Sequence, residues 1–387
     1  MNIGIEAQRI FRTRKHGMDF VALELIRHLQ QMNTGHHFHV FVNDGPDQCL
    51  TESSQLTIHR FSGSYPVWEQ VKLPRIAREL GLDLLHCTSN TAPVRCPVPL
   101  VVTIHDIIYL ETHPLWSKGY TPYQRFGNLY RRWVVRQLLQ KVPLLYTVSE
   151  YEKRRFVDFL GIAPERVAVV YNGVGDHFQP TTDHHRLARV KQKYRLPDRF
   201  LLFLGNTDPK KNTQNTVVAF AKYCAQRGRS HHLVVGDLDP SVIRQYLREA
   251  GLENYLDQFH FTGYIDNQEL PAILQMAEIF LYPSKRESFG IPILEGMATG
   301  TPVITGNTAS MPEVAGDAAL LVDPFQPSAI TAGIARVLND SELCDQLRAR
   351  GLKRARRFSW TQTAQTTLRT YEQLLSISTI PQKNTVL

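Results

Sequence analysis

Short apolar runs alternate with segments of helical periodicity along much of the chain. An apolar run at 2–7 precedes a segment at 19–31, in which Val21, Leu25 and Leu29 recur at helical spacing, and a second apolar run follows at 38–42. Strand, helix and strand in this order form the usual opening of a doubly wound α/β domain. Further buried strands are predicted at 82–87, 100–104, 144–148 and 167–171.

The same alternation begins again after a polar, proline-bearing stretch at 176–185, which is the best candidate for a linker. Strands are predicted at 200–204, 232–235, 259–261, 279–282 and 303–305, with helices between them, and the chain is helical from 329 to 375. We therefore predict two α/β domains, at 1–175 and 176–360. Ligands tend to bind in the cleft between two such domains.

Composition places the chain among globular proteins, since 43% of its 387 residues are hydrophobic and 21% are charged. A formal net charge of +8 favours anionic partners without choosing among them. No apolar run approaches the ~20 residues that span a bilayer, and the N-terminus lacks the features of a signal peptide. We expect a cytoplasmic protein. Its five scattered cysteines predict neither a disulfide framework nor a zinc site.

The most informative stretch is 283–306, which runs from a charged turn through an apolar helical segment to a short strand. Glu287 and Glu295 flank the predicted start of a helix near Ile291. The free N–H groups of a helix start attract anions, phosphate above all. A carboxylate repels phosphate but accepts hydrogen bonds from two hydroxyl groups at once. The pattern suits a nucleotide sugar, and a solvated loop leading into a core helix is the alternative.

Other polar residues follow predicted strands, where active sites form in this architecture. His105 and Asp106 come directly after the strand at 100–104. Lys211 lies beyond the strand-end residue Gly205, where a lysine is a ready point charge for a diphosphate. Gly17, in a basic loop after the first strand, would let the backbone approach a ligand. A capped turn, a solvated lysine and an ordinary flexible loop are the respective alternatives.

Acidic residues are absent between Glu111 and Glu150, an interval rich in basic and aromatic residues. Much of 122–140 has the pattern of a helix. Such a helix suits an interfacial membrane contact or a pyrophosphate-bearing lipid, and a plain surface helix with core-facing aromatic residues is equally open. The candidate basic residues are Lys118, Arg125, Arg131 and Arg132.

Together these features resemble retaining glycosyltransferase family 4, the bacterial group 1 glycosyltransferases of GT-B fold, over nearly the whole chain. The resemblance rests on Glu287 and Glu295 in ESFGIPILE, on the following GMATGTPVI, on His105-Asp106, and on the segments GNTDPKKN, FTGYI, VYNGV and FSW. It implies two facing Rossmann-like domains. The second would hold a nucleotide sugar, and a C-terminal helix at about 361–376 would complete the first, acceptor-side domain.

The resemblance also implies roles for individual residues in the second domain. Glu295 would bind the ribose hydroxyls and Glu287 the donor sugar near its reacting carbon. Lys211 would neutralise the diphosphate. The sugar or diphosphate would also meet the backbone N–H groups of Phe289, Gly290 and Ile291.

In the same way, Tyr264 and Ile265 would line the base pocket. His105, followed by Asp106, would reach the transferred sugar from the first domain, and Gly17 would close over it. Relatives often have two glycines in that first loop, whereas this chain has one.

The phosphate turn departs from the family pattern. Many relatives have an arginine just after the glycine that opens this turn, whereas Asn206 follows Gly205 here, in a turn whose length also differs. Neutralisation of the diphosphate would then depend more on Lys211, or on another cation such as Arg286.

The expected reaction is transfer of a hexose from a nucleoside diphosphate to a glycan or lipid-linked acceptor, with retention and no clear protein nucleophile. No DxD-like strand-end cluster is present, so no metal or other cofactor is expected. GDP-mannose is the first guess for the donor and a UDP-sugar the second. The setting would be bacterial surface glycan synthesis, peripheral on the inner membrane face.

Other classes stay open at this point. Within enzymes they are a nucleotide-sugar epimerase and a phosphorylase-like GT-B enzyme, although no lysine suited to pyridoxal phosphate is identifiable. A non-catalytic nucleotide-sugar binder is a further alternative. The net charge is compatible with a nucleic-acid-binding protein, but no nucleic-acid-binding motif is recognisable, and no nucleic-acid partner is expected.

Overall fold

The computed structural model describes residues 1–13, 15–111 and 122–378. The chain forms two compact units. Unit 1 comprises Met1–Asn172 together with the segment from Trp360 onward, and unit 2 comprises Gly173–Ser359. The first boundary, predicted after residue 175, lies after Asn172.

Unit 1 is built on one parallel sheet, which has seven strands in the described part of the chain. The strands are β1 (Asn2–Glu6), β2 (His37–Asn43), β3 (Leu56–Phe61), β4 (Leu84–Cys87), β5 (Leu100–Thr103), β6 (Leu144–Thr147) and β7 (Val167–Val169). Their order is β3-β2-β1-β4-β5-β6-β7. The order reverses between β1 and β4, and loops at the carboxyl ends of strands beside such a switch point form ligand crevices.

Helices cover unit 1 and bury two apolar layers, because its central strands are apolar on both faces. The helices between the strands are α1 (Gly17–Gln31), α2 (Tyr65–Val67), α3 (Leu73–Glu79), α4 (Ile108–Glu111), α5 (Pro122–Lys141) and α6 (Glu150–Leu160). A five-residue π-helical segment, Trp68–Lys72, joins α2 directly to α3.

Unit 2 contains a second parallel sheet, with six strands among the described residues. The strands are β8 (Phe200–Phe203), β9 (His232–Gly236), β10 (Phe259–Gly263), β11 (Ile279–Tyr282), β12 (Val303–Gly306) and β13 (Leu320–Val322). The order is β10-β9-β8-β11-β12-β13, so the switch point lies between β8 and β11.

The helices of unit 2 cover its sheet and bury apolar residues on both faces of that sheet. They are α7 (His184–Lys193), α8 (Thr213–Arg227), α9 (Pro240–Glu249), α10 (Leu270–Met276), α11 (Ile291–Ala298), α12 (Met311–Ala315), α13 (Pro327–Asn339) and α14 (Ser341–Ala355). Gly296 of α11 permits close packing on β11, because a Cβ there would lie 2.8 Å from the ring of Phe280.

The last helix, α15 (Trp360–Ser378), returns to unit 1 and supplies Ala364, Leu368 and Tyr371 to its core. Its deepest polar contact joins Tyr371 Oη to His86 Nδ1 at 2.5 Å, while His86 Nε2 lies 2.7 Å from Thr103 Oγ1. Burial lowers the pKa of His86 to about 3, so the imidazole is neutral and both of its nitrogens are hydrogen-bonded.

Replacing Tyr371 with phenylalanine should lower the free energy of unfolding by about 1–3 kcal/mol, because the buried His86 Nδ1 loses its partner. Urea denaturation measures this. Tyr109→Phe is the matched control, since the Tyr109 hydroxyl is buried without a hydrogen-bond partner among the described residues. Equal stability of the two variants would contradict the role given to the Tyr371 hydroxyl.

Candidate active site

The loop between β11 and α11 carries the carboxylate motif. Gly290 precedes the first residue of α11, Ile291, and has a φ of +99°, a conformation that favours glycine. Pro292 has no N–H and the Ile293 N–H donates to the carbonyl of Gly290 at 3.0 Å, whereas the N–H groups of Gly290 and Ile291 have no partner among the described residues. The ring of Phe289 is buried against Phe358, with the ring centroids 5.8 Å apart. Only the backbone of Phe289 is therefore available to a ligand.

Two hydroxyl groups, of buried Ser310 and of half-buried Thr308, hold the backbone of this loop. Ser310 Oγ lies 2.8 Å from the carbonyl oxygen of Glu287 and 2.9 Å from that of Phe289. Thr308 Oγ1 donates to the carbonyl of Lys285 at 2.9 Å. The Lys285 N–H in turn donates to the carbonyl of Lys210 at 2.8 Å, which ties this loop to the loop after β8.

The loop after β8 is shaped by local side-chain hydrogen bonds. Asn206 Oδ1 accepts from the N–H of Asp208 at 2.9 Å, and Asp208 Oδ1 accepts from the N–H of Lys210 at 3.0 Å. Asn212 closes the loop with a φ of +60° and donates to the carbonyl of Pro283 at 2.9 Å. Asn206 therefore stabilises the turn through its side-chain amide, and it contributes no charge.

Gly205 is required in this loop by packing. A Cβ at this position would lie 2.2 Å from the ring of Phe203 and 2.9 Å from Thr213 Oγ1. A residue larger than glycine would displace the start of the loop that carries Lys211.

Lys211, Tyr282 and Glu287 form a hydrogen-bonded triangle beside the switch point between β8 and β11. Lys211 Nζ lies 2.8 Å from Glu287 Oε1 and 2.7 Å from Tyr282 Oη, and Tyr282 Oη donates to the same carboxylate oxygen at 3.0 Å. The Lys211 and Glu287 side chains are only 19% and 11% exposed. This unit-2 triangle joins residues 76 positions apart in the chain.

Tyr282 was missed by sequence reasoning. It ends an apolar strand and has the pattern of a core residue, and its ring is indeed buried. Burial and the charge of Glu287 hold the pKa of its phenol well above the usual range, so it stays protonated. The only available signal was its position, as the last residue of a central parallel strand.

Glu295 lies within the second turn of α11 and close enough to Tyr282 to raise the pKa of that phenol further. No described side chain donates a hydrogen bond to its carboxyl group. Burial raises the pKa of Glu295 to about 7, since a low-dielectric surrounding disfavours the charged form. A carboxyl group with its hydrogen-bonding capacity unused can accept hydroxyl groups of a ligand.

Apolar residues at the carboxyl ends of β8, β9 and β10 pack closely against one another. Ile265 Cδ1 lies 3.1 Å from where a Cβ on Gly236 would be, and Leu204 Cδ2 lies 3.3 Å from the same point. Tyr264, which precedes Ile265, is 72% exposed. That these two residues line a base pocket stays a prediction.

In unit 1, His105 follows β5 and is buried. Its Nε2 lies 2.9 Å from the carbonyl oxygen of Thr88. A carbonyl can only accept, so Nε2 carries the proton and Nδ1 is left as an acceptor. Burial lowers the pKa of His105, which keeps the ring neutral near pH 7. Asp106 caps the next turn, because its Oδ1 accepts from the N–H of Ile108 at 3.1 Å.

The loop after β1 is held by Asp19, another residue that sequence reasoning missed. Its buried carboxylate accepts from Arg12 and from the backbone N–H of His16, and it forms an ion pair with Arg9, whose Nε lies 3.3 Å from Oδ1. Gly17 begins α1, and a Cβ built on it would meet nothing within 4 Å. The structure itself therefore does not demand glycine at this position, and its predicted contact with a ligand stays a prediction.

The predicted basic residues around α5 are described in part. Lys118 and the Arg125 side chain lie outside the described residues. Arg131 and Arg132 are half-buried on α5, and the Arg131 guanidinium lies 5.7 Å from the ring centroid of Tyr109. The Arg131 side chain thus already packs against Tyr109 within unit 1. Arg286, in the loop after β11, is also half-buried.

No group of three or more His, Cys, Asp or Glu side chains within the described residues is arranged to hold a metal ion. The polar groups gathered at β8 and β11 are instead a cation, a phenol, two carboxyl groups and free helix N–H groups. This set can bind an anion and several hydroxyl groups at one place.

Two family descriptions match the chain. "Glycosyltransferase Family 4" matches residues 16–177, and "Glycosyl transferases group 1" matches residues 186–354. The O-antigen chain mannosyltransferase B of Escherichia coli is 30% identical over 278 residues, which cover 71% of this chain and 70% of that protein. The chain belongs to the group 1 glycosyltransferases of family 4.

The serotype-specific mannosyltransferase WbdA of Escherichia coli is 28% identical over 303 residues, or 76% of this chain. The matched part spans only about a third of WbdA, since it covers 36% of that protein's length.

Among solved structures, HepE of Anabaena in complex with UDP-glucose has a TM-score of 0.74 at 18% identity, covering 96% of this chain and 100% of that one. This likeness establishes the GT-B type of fold, with its two parallel α/β domains. No helix among the described residues is long and apolar enough to cross a membrane.

The raised pKa of Glu295 predicts that the free energy of unfolding decreases as the pH rises. Its ordinary value is 4.5 and its folded value about 7, so the unfolded chain loses this proton first and stability falls as pH rises through that window. Glu295→Gln removes this loss. We expect the melting temperature of the ligand-free variant to match wild type at pH 5 and to exceed it by about 2–4 °C at pH 8.

Glu165→Gln, at an exposed position in unit 1, is the control for loss of one carboxyl group. Differential scanning fluorimetry of the three proteins at both pH values provides the measurement. If the melting temperatures of Glu295→Gln and wild type differ by the same amount at pH 5 and pH 8, Glu295 is not buried in its uncharged form.

Proposed function

We propose that this protein is a retaining glycosyltransferase that transfers a hexose from a nucleoside diphosphate to a lipid-linked or polysaccharide acceptor in bacterial surface glycan synthesis. The observation that carries the proposal is the Lys211–Tyr282–Glu287 triangle beside the start of α11. The Glu295 carboxyl group, which accepts no hydrogen bond from a described side chain, lies close by. These groups combine anion binding with hydroxyl binding, which a nucleotide sugar requires together.

Lys211 is the group that would meet the departing diphosphate. In the ligand-free protein its charge is balanced by Glu287 at 2.8 Å. A bound diphosphate would share the ammonium group, and the N–H groups at Gly290 and Ile291 would add their dipoles to the same anion. These donors are held in place before binding, so little reorganisation is needed when charge develops on the leaving group.

Glu287 would then face the sugar. The bond between the anomeric carbon and the diphosphate oxygen breaks, and the bond to the acceptor oxygen forms on the same face. The acceptor proton passes to the departing phosphate oxygen. The positive charge that develops at the anomeric carbon is stabilised by the Glu287 carboxylate, and the Tyr282 phenol limits where that carboxylate can point.

For the donor we propose GDP-mannose, supported by the two mannosyltransferases among the relatives. A UDP-sugar is the second candidate, because a protein of the same fold was crystallised with UDP-glucose. We place the reaction in the cytoplasm. His105, for which the family resemblance implies contact with the transferred sugar, offers Nδ1 as an acceptor.

Lys211→Ala and Glu287→Gln should each lower the transfer rate about 100-fold or more, because each removes a preorganised group that stabilises charge. Lys222→Ala, an exposed lysine on α8, is the matched control. Product formation from donor and acceptor is measured at saturating donor, with circular dichroism to verify folding. Turnover close to wild type in both variants would remove the triangle from the mechanism.

A thermal-shift panel of GDP, UDP, dTDP and ADP tests the donor, since a ligand that binds only the folded protein raises its melting temperature. We expect the largest rise with GDP, and a smaller rise in Lys211→Ala. A larger rise with UDP would replace GDP-mannose by a UDP-sugar. If a nucleotide sugar binds but is neither transferred nor hydrolysed when acceptor is absent, the protein is a non-catalytic binder.

A further inference from the structure

Two consecutive polar residues, Glu69 and Gln70, lie in the middle of a helical run of unit 1. This helical run 65–79 comprises α2, the π-helical segment Trp68–Lys72 and α3, and both residues belong to the π-helical segment. π-Helical turns are rare and occur frequently at functional sites. Glu69 is fully buried, and a buried carboxyl group is costly unless it is hydrogen-bonded.

Among the described residues, four donors converge on the Glu69 carboxyl group. Oε2 accepts from Tyr65 Oη at 2.7 Å and from Thr91 Oγ1 at 2.5 Å. Oε1 accepts from Tyr130 Oη at 2.6 Å and from Gln70 Nε2 at 2.8 Å. Two donors for each oxygen use the accepting capacity of a carboxylate, so Glu69 can act only through the residues that it holds.

One of these donors belongs to the loop that joins β4 to β5. We call residues 88–94 the β4 loop. Thr91 ties the β4 loop to Glu69, and Gln70 Oε1 accepts from the N–H of Val94 at 2.9 Å. The β4 loop, whose residues are all described, contains no helix or strand, so its conformation depends on such side-chain contacts.

The start of the β4 loop holds His105. The carbonyl oxygen of Thr88 lies 2.9 Å from His105 Nε2, and Asn90 Oδ1 accepts from the backbone N–H of His105 at 2.6 Å. Asn90 has a φ of +68°, which is uncommon for a residue other than glycine. Such a conformation persists where the surrounding contacts enforce it. The β4 loop therefore fixes both the backbone and the ring of His105.

The contact with Thr88 determines which nitrogen of His105 can accept a hydrogen bond. The carbonyl holds the proton on Nε2, which leaves Nδ1 as the acceptor. If the β4 loop moved, Nε2 would lose this partner and the proton would no longer be confined to it. A ring with its proton on Nδ1 cannot accept a hydroxyl group there.

We propose that Glu69 is a positioning residue for His105. Through Thr91 it holds the β4 loop, and the β4 loop holds His105 in the tautomer whose Nδ1 accepts a hydroxyl group. This inference rests on the proposed function, in which that hydroxyl group belongs to the transferred sugar. Glu69 lies on a helical segment and His105 follows a strand, so the β4 loop is the physical link between them.

Nitrogen NMR of the full-length protein with isotopically labelled histidine tests the positioning, because the two ring nitrogens report the tautomer. His105→Ala identifies the signal. We expect the Nε2–H tautomer in wild type and a mixture of tautomers in Thr91→Val, which removes the hydroxyl group but keeps the side-chain size. Thr331→Val is the matched control, since this buried hydroxyl group of unit 2 donates to the carbonyl of Ala219 at 2.9 Å. Identical His105 signals in the two threonine variants would overturn the proposal.

A double-mutant cycle of transfer rates tests whether the effect passes through His105. Thr91→Val should lower kcat about tenfold with little change in the donor KM, because displacement of a positioned group slows the chemical step. Glu69→Gln, which replaces one acceptor oxygen by a donor, should act in the same direction, with circular dichroism to verify folding. Added to His105→Ala, Thr91→Val should cost little more. Fully additive losses would show that Thr91 acts independently of His105.

The two measurements separate this inference from the proposed function. If His105→Ala transfers at the wild-type rate, the contact of His105 with the sugar is wrong, and the NMR comparison alone decides whether Glu69 positions the ring. If His105→Ala loses activity but its signal in Thr91→Val is that of wild type, the proposed contact stands and the positioning by Glu69 is wrong.

Discussion

The charge balance at Lys211 is the constraint on which unit 2 depends. An ammonium group placed at the end of a buried sheet loses most of its hydration and is tolerated only with partners at hydrogen-bonding distance. Glu287 and Tyr282 supply them. Since Lys211 follows β8 and Glu287 follows β11, the pair also fixes how two loops approach each other at the strand switch point. Ser310 and Asn212 hold the backbone of those loops from the opposite side.

Unit 1 also buries ionisable groups, and in this unit they are carboxyl groups. Asp19 is fully paired by two arginines and a backbone N–H. Glu6, at the end of β1, is also buried, and among the described residues its carboxyl group accepts only from the N–H groups of Gln8 and Thr88. Burial raises the pKa of Glu6 to about 7. The two units therefore place different chemistry at equivalent points of similar sheets: a balanced cation in unit 2, and carboxyl groups beside a neutral histidine in unit 1.

Most of the sheet strands could be predicted from the sequence because they are buried on both faces and consist of short apolar runs. The strands that were missed, β3 and β13, are edge strands whose residues are partly exposed, so their pattern is diluted. The helical run 65–79 was missed as well, since Pro66, Pro74 and the π-helical turn between them disturb its periodicity.

The sequence predicts only those site residues whose position next to a strand or a helix start marks them. Lys211 was identified because it follows a strand end of a parallel sheet, and Glu287 because it flanks, with Glu295, the start of the helix predicted near Ile291. The contact between Lys211 and Glu287 depends on Tyr282, which bonds to both side chains, and on Ser310, which holds the Glu287 backbone. A tyrosine that ends an apolar strand has the pattern of a core residue, and a serine that contacts two carbonyls 21 and 23 residues away leaves no local pattern.

The return of α15 to unit 1 has a consequence for biosynthesis. Ala364, Leu368 and Tyr371 belong to the same core as Ile3 and Ile5 at the start of the chain. The ribosome makes Ile3 and Ile5 long before α15, so this core stays incomplete until α15 has been synthesised. Unit 2, whose residues are contiguous, can finish folding while unit 1 still lacks its last helix. The sheet of unit 1 is thus translated before unit 2 but matures after it.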